Sequence, residues 1–124
     1  MKVNKDDPKD PGRDRLIMSK GHAVLVQYAC LAELGYFDRT ELGKVKTFAG
    51  ILQGHPDMDK TPGIEAVTGS LGQGLSVSLG VALGLRLDKS DSRVYAILGD
   101  GELAEGQIWE ASMAAAVYKA SNLT

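Results

Sequence analysis

The chain has 124 residues, 14 Lys+Arg against 16 Asp+Glu and a formal net charge of −2, which argues against a nucleic-acid backbone binder with its clustered basic excess. Its 44% hydrophobic and 24% charged residues are those of a globular chain, with order expected beyond the first dozen residues. Apolar runs such as Ala23–Val26 and Tyr28–Ala32 fall far short of the roughly 18 residues of a membrane span.

Residues 1–15 are polar and carry Pro8, Pro11 and Gly12. With no apolar area to bury, they are expected to be an extended or looped lead-in. Ala23–Leu34 is apolar on nearly every face, as a buried helix would be, and Gly35 stands where a left-handed C-terminal residue belongs. Asp38-Arg39-Thr40-Glu41 fits a capping box opening a short helix to about Phe48. Residues 49–70 have neither helical nor strand period and hold two prolines and four glycines; so long a loop in a compact domain tends to be functional.

Leu71–Leu87 reads as a helix although it carries Gly72, Gly74, Gly80 and Gly84. Each glycine costs up to about 1 kcal/mol relative to alanine, so close backbone packing is expected in return. Arg93–Leu98 is the one clear strand, apolar through its centre as in a buried parallel sheet. Gly99-Asp100-Gly101 ends it, a helix follows from about Glu105 to Lys119, and Asn122-Leu123 reads as the approach to another strand. The fold class expected is α/β, a parallel sheet flanked by helices and incomplete at both ends, with residues 1–124 forming part of one domain.

Cys30 is the only cysteine, so no internal disulfide is possible. With no basic-then-apolar leader, a cytoplasmic location is the expectation. Glycine is abundant, 15 of 124 residues or 12% against about 7% on average. Such a content points to tight turns and close approach of backbone to a ligand.

Three features carry chemistry. Gly99-Asp100-Gly101-Glu102 sits beyond the carboxyl end of a strand, where α/β sheets collect ligands. Its glycines let backbone N–H groups approach an anion, and a lone carboxylate there suits Mg²⁺ shared with phosphate oxygens. A plain turn with a capping aspartate would look the same. His22, in Ser19-Lys20-Gly21-His22-Ala23, and His55, in Gln53-Gly54-His55-Pro56, are the only two histidines. Each can donate to an anion or move a proton, or serve as a hydrogen-bonded structural residue; no third ligand has zinc-like spacing. Thr68-Gly69-Ser70-Leu71-Gly72-Gln73-Gly74 enters a helix but lacks the Lys-Ser/Thr of a P-loop and any strand directly before it.

Read together and in order, Ser-Lys-Gly-His-Ala, Gln-Gly-His-Pro-Asp, Thr-Gly-Ser-Leu-Gly-Gln-Gly-Leu-Ser and Leu-Gly-Asp-Gly-Glu, with Trp109-Glu110-Ala111 behind, resemble transketolase. The resemblance runs from about Arg13 to the end and is strongest to the N-terminal subunit of split transketolases. It implies transfer of a two-carbon glycolaldehyde unit from a ketose phosphate to an aldose phosphate, with thiamine diphosphate as electron sink, the chemistry of the pentose phosphate pathway. By resemblance Asp100 coordinates Mg²⁺ (or Ca²⁺ or Mn²⁺) bridging the diphosphate, while Gly99 and Gly101 allow close approach.

His22 would hydrogen-bond near the diphosphate and reaction centre, and His55 would face substrate hydroxyls and developing charge. Gly69 and Leu71 would line the cofactor ring pocket, the glycine because a side chain would collide with the ring. Glu105 and Glu110 match acidic positions at the family's subunit interface, though helix N-terminal acids stabilised by the dipole read alike. Expected partners are sugar phosphates and the remaining transketolase segments or a C-terminal subunit, in a homo- or hetero-oligomer, with no nucleic acid and no membrane.

An earlier Ser-Gly-His-Pro-Gly motif, the closing asparagine of the thiamine motif and the pyrimidine-binding half of the family are not in these residues. The 124-residue stretch alone is therefore expected to be inactive and to bind the cofactor weakly or not at all. Dihydroxyacetone synthase, a deoxyxylulose-phosphate synthase relative and a non-catalytic truncated remnant are the alternatives.

Overall fold

A computed structural model describes all residues from Met1 to Thr124. The elements in chain order are β1 (Arg15–Met18), α1 (Val24–Glu33), α2 (Gln73–Leu87), β2 (Val94–Ile97) and α3 (Gly106–Val117), with single 3₁₀ turns at Gly21–Ala23, Arg39–Lys44 and Gly101–Ala104. β1 and β2 pair in parallel with Arg15 opposite Val94 and Met18 opposite Ile97. A third parallel strand begins on the other edge of β2, where Val94 bridges Leu123 and Thr124 N–H donates to Val94 O at 2.9 Å. No helix is long and apolar enough to cross a membrane.

β1 lies where the sequence pattern ends a structureless lead-in. Its four residues show no alternation, and their pairing partner is 79 positions away, so local pattern does not reveal it. The lead-in itself is pinned. Asp14, buried, accepts from Lys2 N–H at 2.6 Å and from Arg93 N–H at 2.8 Å. Burial works to raise its carboxyl pKa, but these two backbone bonds and the nearby N-terminal charge hold it below the ordinary value.

The α1 terminus follows its sequence signal. Gly35 has φ +81°, its N–H donates to Ala32 O and Tyr36 N–H to Leu31 O, both at 3.0 Å, the paired closure of a Schellman motif. The segment after Asp38 forms only a 3₁₀ turn, Arg39–Lys44, and not a helix to Phe48. Asp38 does cap it, accepting from Thr40 N–H at 2.8 Å. Glu41 instead binds Lys44 at 2.6 Å, so the reciprocal half of the capping box is missing.

α2 begins at Gln73, after Gly72 in the left-handed region at φ +87°. Gly74 shows the expected close packing: a Cβ there would stand 2.5 Å from Ser19 Cα. Gly80 and Gly84 do not, since nothing lies within 4 Å of a Cβ at either; the packing argument fails at these two exposed or half-exposed turns.

Three small cores hold the layers together. Ile17, Ala82 and Val94 pack β1, α2 and β2, and Leu75, Ile108 and Ala111 pack α2 on α3. Val24, Tyr28, Leu31, Leu52 and Ile64 fasten residues 49–70 to α1. The long loop is thus packed by its own apolar residues and is further tied to β1 by a twofold contact of Arg13 with Glu65, which Arg15 joins at 3.6 Å.

Candidate functional site

The carboxyl ends of β1 and β2 are capped by turns that stand in the sequence as separate motifs. Ser19 continues the ladder, its N–H donating to Ile97 O at 2.9 Å. The chain then turns through Gly21, where a Cβ would stand 2.6 Å from Thr68 O. Only glycine lets residues 68–69 cross so near. Thr68, buried, fixes that crossing by donating through Oγ1 to Met18 O at 2.6 Å. His22 follows, exposed on the 3₁₀ turn.

Glu102 is the hinge pin of the site. It is 2% exposed and accepts three hydrogen bonds: Ser19 Oγ at 2.5 Å and Gly72 N–H at 2.9 Å on Oε1, and Gly99 N–H at 2.9 Å on Oε2. The end of β1, the entry of α2 and the end of β2 therefore converge on one carboxylate. Burial works to raise its pKa; the Ser19, Gly72 and Gly99 bonds, with the field of His22, outweigh burial and hold the pKa below the ordinary value. Sequence pattern alone assigns Glu102 no role. Its position two residues beyond Asp100 hints at a turn, but its partners lie up to 83 positions away.

Residues 49–70 bring His55 to the same face. Tyr28, fully buried, places its hydroxyl 3.0 Å from Gln53 O and 3.2 Å from His55 O, so α1 holds the segment that bears the imidazole. Burial raises the Tyr28 phenol pKa. A Cβ at Gly69 would meet His55 Cδ2 at 3.2 Å. Gly69 thus makes room for His55 within the protein.

Asp100 is exposed at the tip of β2, and no protein group donates to its carboxylate. The N–H groups of Asp100 and Gly101 likewise have no protein acceptor, whereas that of Gly99 is already committed to Glu102. Of the two glycines flanking Asp100, then, only Gly101 offers a free amide, and a Cβ there would meet nothing within 4 Å. A 3₁₀ turn, Gly101–Ala104, separates this unit from α3, which begins at Gly106, next to the Glu105 expected from the sequence. No three His, Cys, Asp or Glu side chains cluster as a metal cage. A single free carboxylate beside free amides nonetheless fits a divalent ion that keeps phosphate oxygens as its other ligands.

Leu71 is exposed next to Gly72, and Glu105 and Glu110 are exposed and form no ion pair within the chain. Asn122 lies at the opposite, amino end of β2, where its carbonyl accepts from Val94 N–H at 2.9 Å. It is not part of this site. Three cavities lie elsewhere; the largest, about 600 Å³, is flanked by Lys9, Arg13 and Lys60.

The family model described as "Transketolase, thiamine diphosphate binding domain" matches residues 1–124. The chain is 46% identical over 123 residues to one subunit of the split apulose-4-phosphate transketolase of Phocaeicola vulgatus, covering 99% of this chain and 43% of that one. It is 44% identical over 124 residues to human transketolase, again over 99% of this chain but 20% of the relative. Among solved structures, a transketolase variant from Pichia stipitis superposes with a TM-score of 0.92 at 36% identity, covering 99% of this chain and 20% of that one. The chain therefore spans under half the length of the Phocaeicola relative and a fifth of the human protein.

Proposed function

The chain belongs to the transketolase family, matching its thiamine diphosphate-binding domain, and from that premise we propose that it holds the diphosphate end of the cofactor in a two-carbon transfer between sugar phosphates. The observation that carries this reading is the convergence of Ser19, Gly72 and Gly99 on Glu102, with Asp100 and two unpaired amides left free beside it.

When bound, thiamine diphosphate supplies a carbon nucleophile that takes up and releases the two-carbon unit. Asp100 would hold Mg²⁺, or Ca²⁺ or Mn²⁺ in its place, together with diphosphate oxygens, and the amides of Asp100 and Gly101 would donate to the same anion. His22 would donate a hydrogen bond at the diphosphate side. His55, seated against Gly69, would hold or move a proton at a substrate hydroxyl. Leu71 would line the ring pocket, and Glu105 and Glu110 would meet a neighbouring protomer, either a second copy or a C-terminal partner. Ketose and aldose phosphates are the proposed substrates and the cytoplasm the proposed location.

The test is calorimetric titration of the assembled protein, with the rest of the family's chain or partner subunit present, using thiamine diphosphate and Mg²⁺. Micromolar binding that Asp100→Asn weakens at least tenfold is expected. Equal binding by parent and variant would remove Asp100 from the site. The 124-residue stretch alone offers one metal-binding carboxylate and is expected to bind weakly or not at all.

A further inference from the structure

We infer that Lys20 is a cofactor-binding residue whose ammonium pairs with the diphosphate, an assignment that rests on the thiamine diphosphate reading above. The backbone of Lys20 is fixed on both sides. Ser19 is held by the sheet and by Glu102, and Lys20 O accepts from Ala23 N–H at 2.9 Å. From this anchor the side chain crosses to the end of the neighbouring strand. A Cβ at Gly99 would lie 3.4 Å from Lys20 Cδ and 3.5 Å from both Cε and Nζ. The whole outer half of the lysine therefore lies along Gly99, one residue before Asp100.

Nothing in the protein neutralises that ammonium. It forms no ion pair and donates no hydrogen bond, although two carboxylates stand close in sequence to Gly99. The Glu102 oxygens are already occupied by Ser19, Gly72 and Gly99, and the Asp100 carboxylate is free for a cation of higher charge. A half-buried lysine held over glycine next to two unpaired amides provides what a multiply charged anion needs. Asp100 with its metal would neutralise one side of the diphosphate, and Lys20 the other.

The experiment compares parent, Lys20→Met and Lys20→Arg in the assembled protein by calorimetry, with thiamine diphosphate and with unphosphorylated thiamine, each with Mg²⁺. Methionine keeps the packing over Gly99 and removes the charge; arginine keeps the charge. The expected result is thiamine diphosphate binding weakened on the order of 10- to 100-fold in Lys20→Met, largely restored in Lys20→Arg, with thiamine affinity unchanged in all three. The affinity of Lys20→Met should also depend less steeply on salt. Binding of thiamine diphosphate by Lys20→Met within twofold of the parent would overturn the assignment and leave the cofactor reading intact. Equal losses for thiamine and thiamine diphosphate would overturn it too, marking the lysine as structural. A parent that binds neither compound would overturn both readings.

Discussion

Replacing Glu102 with glutamine is the sharpest perturbation of this site, because it exchanges one oxygen for an NH₂ group at nearly constant volume. The carboxylate receives two backbone N–H groups on different oxygens, Gly72 on Oε1 and Gly99 on Oε2. An amide has one acceptor oxygen and two donors. Whichever way it is turned, its NH₂ faces one of these N–H groups at about the present separation of 2.9 Å; the Ser19 hydroxyl can rotate to accept, but a backbone amide cannot. One buried N–H is orphaned, which costs about 1–3 kcal/mol, and the surviving bonds lose their charge assistance. A total of about 2–4 kcal/mol is a large share of the roughly 5–15 kcal/mol that stabilises a typical domain.

Urea unfolding of the assembled protein reads the stability loss, and amide hydrogen exchange locates it. The peptides containing Gly72 or Gly99 should exchange on the order of 30- to 900-fold faster at neutral pH, the factor that corresponds to that energy range. Unchanged exchange, together with a stability change under about 0.5 kcal/mol, would refute the idea that Glu102 holds these segments together.

The same carboxyl gives a pH dependence. It is held below its ordinary value of 4.5, so its stabilisation is fully present above that pH and is lost as pH falls through the lowered value. The stability gap between parent and Glu102→Gln, followed by urea midpoints, should be flat above pH 4.5 and close below it. Gly74→Ala should cost about 3 kcal/mol or more, because the new Cβ overlaps Ser19 backbone at 2.5 Å. Gly80→Ala, in open space on the same helix, should instead add about 0.5–1 kcal/mol; similar urea midpoints for the two would contradict the packing described. Tyr28→Phe should cost about 1 kcal/mol and speed proteolysis or exchange within residues 51–57, since the hydroxyl no longer bridges to Gln53 and His55.

What is legible in the sequence is what depends on neighbours in the chain. The α1 terminus at Gly35, the carboxyl end of β2 at Gly99 and the onset of a strand at Leu123 each have their signal within a few residues. What is not legible depends on distant partners. Arg15–Met18 becomes a strand only because Val94–Ile97 lies beside it, and Glu102 becomes central only because Ser19 and Gly72 reach it from earlier in the chain. Glycine is legible only in part. Gly80 and Gly84 pack against nothing, and Gly69 makes space for His55, a residue whose approach local pattern cannot show. The expectation that His22 and His55 share a site rests, by contrast, on the family resemblance of the motifs taken together.

The bond from Ser19 to Glu102 spans 83 positions, and this sets when in its own synthesis the protein can acquire a working centre. A nascent chain grows at about 5–20 residues per second, so the first motif spends several seconds outside the ribosome before its anchor is even translated. The crossing of Thr68 on Met18 and the seating of His55 against Gly69 can form first; only the lock that joins both strand ends to the entry of α2 must wait for Glu102.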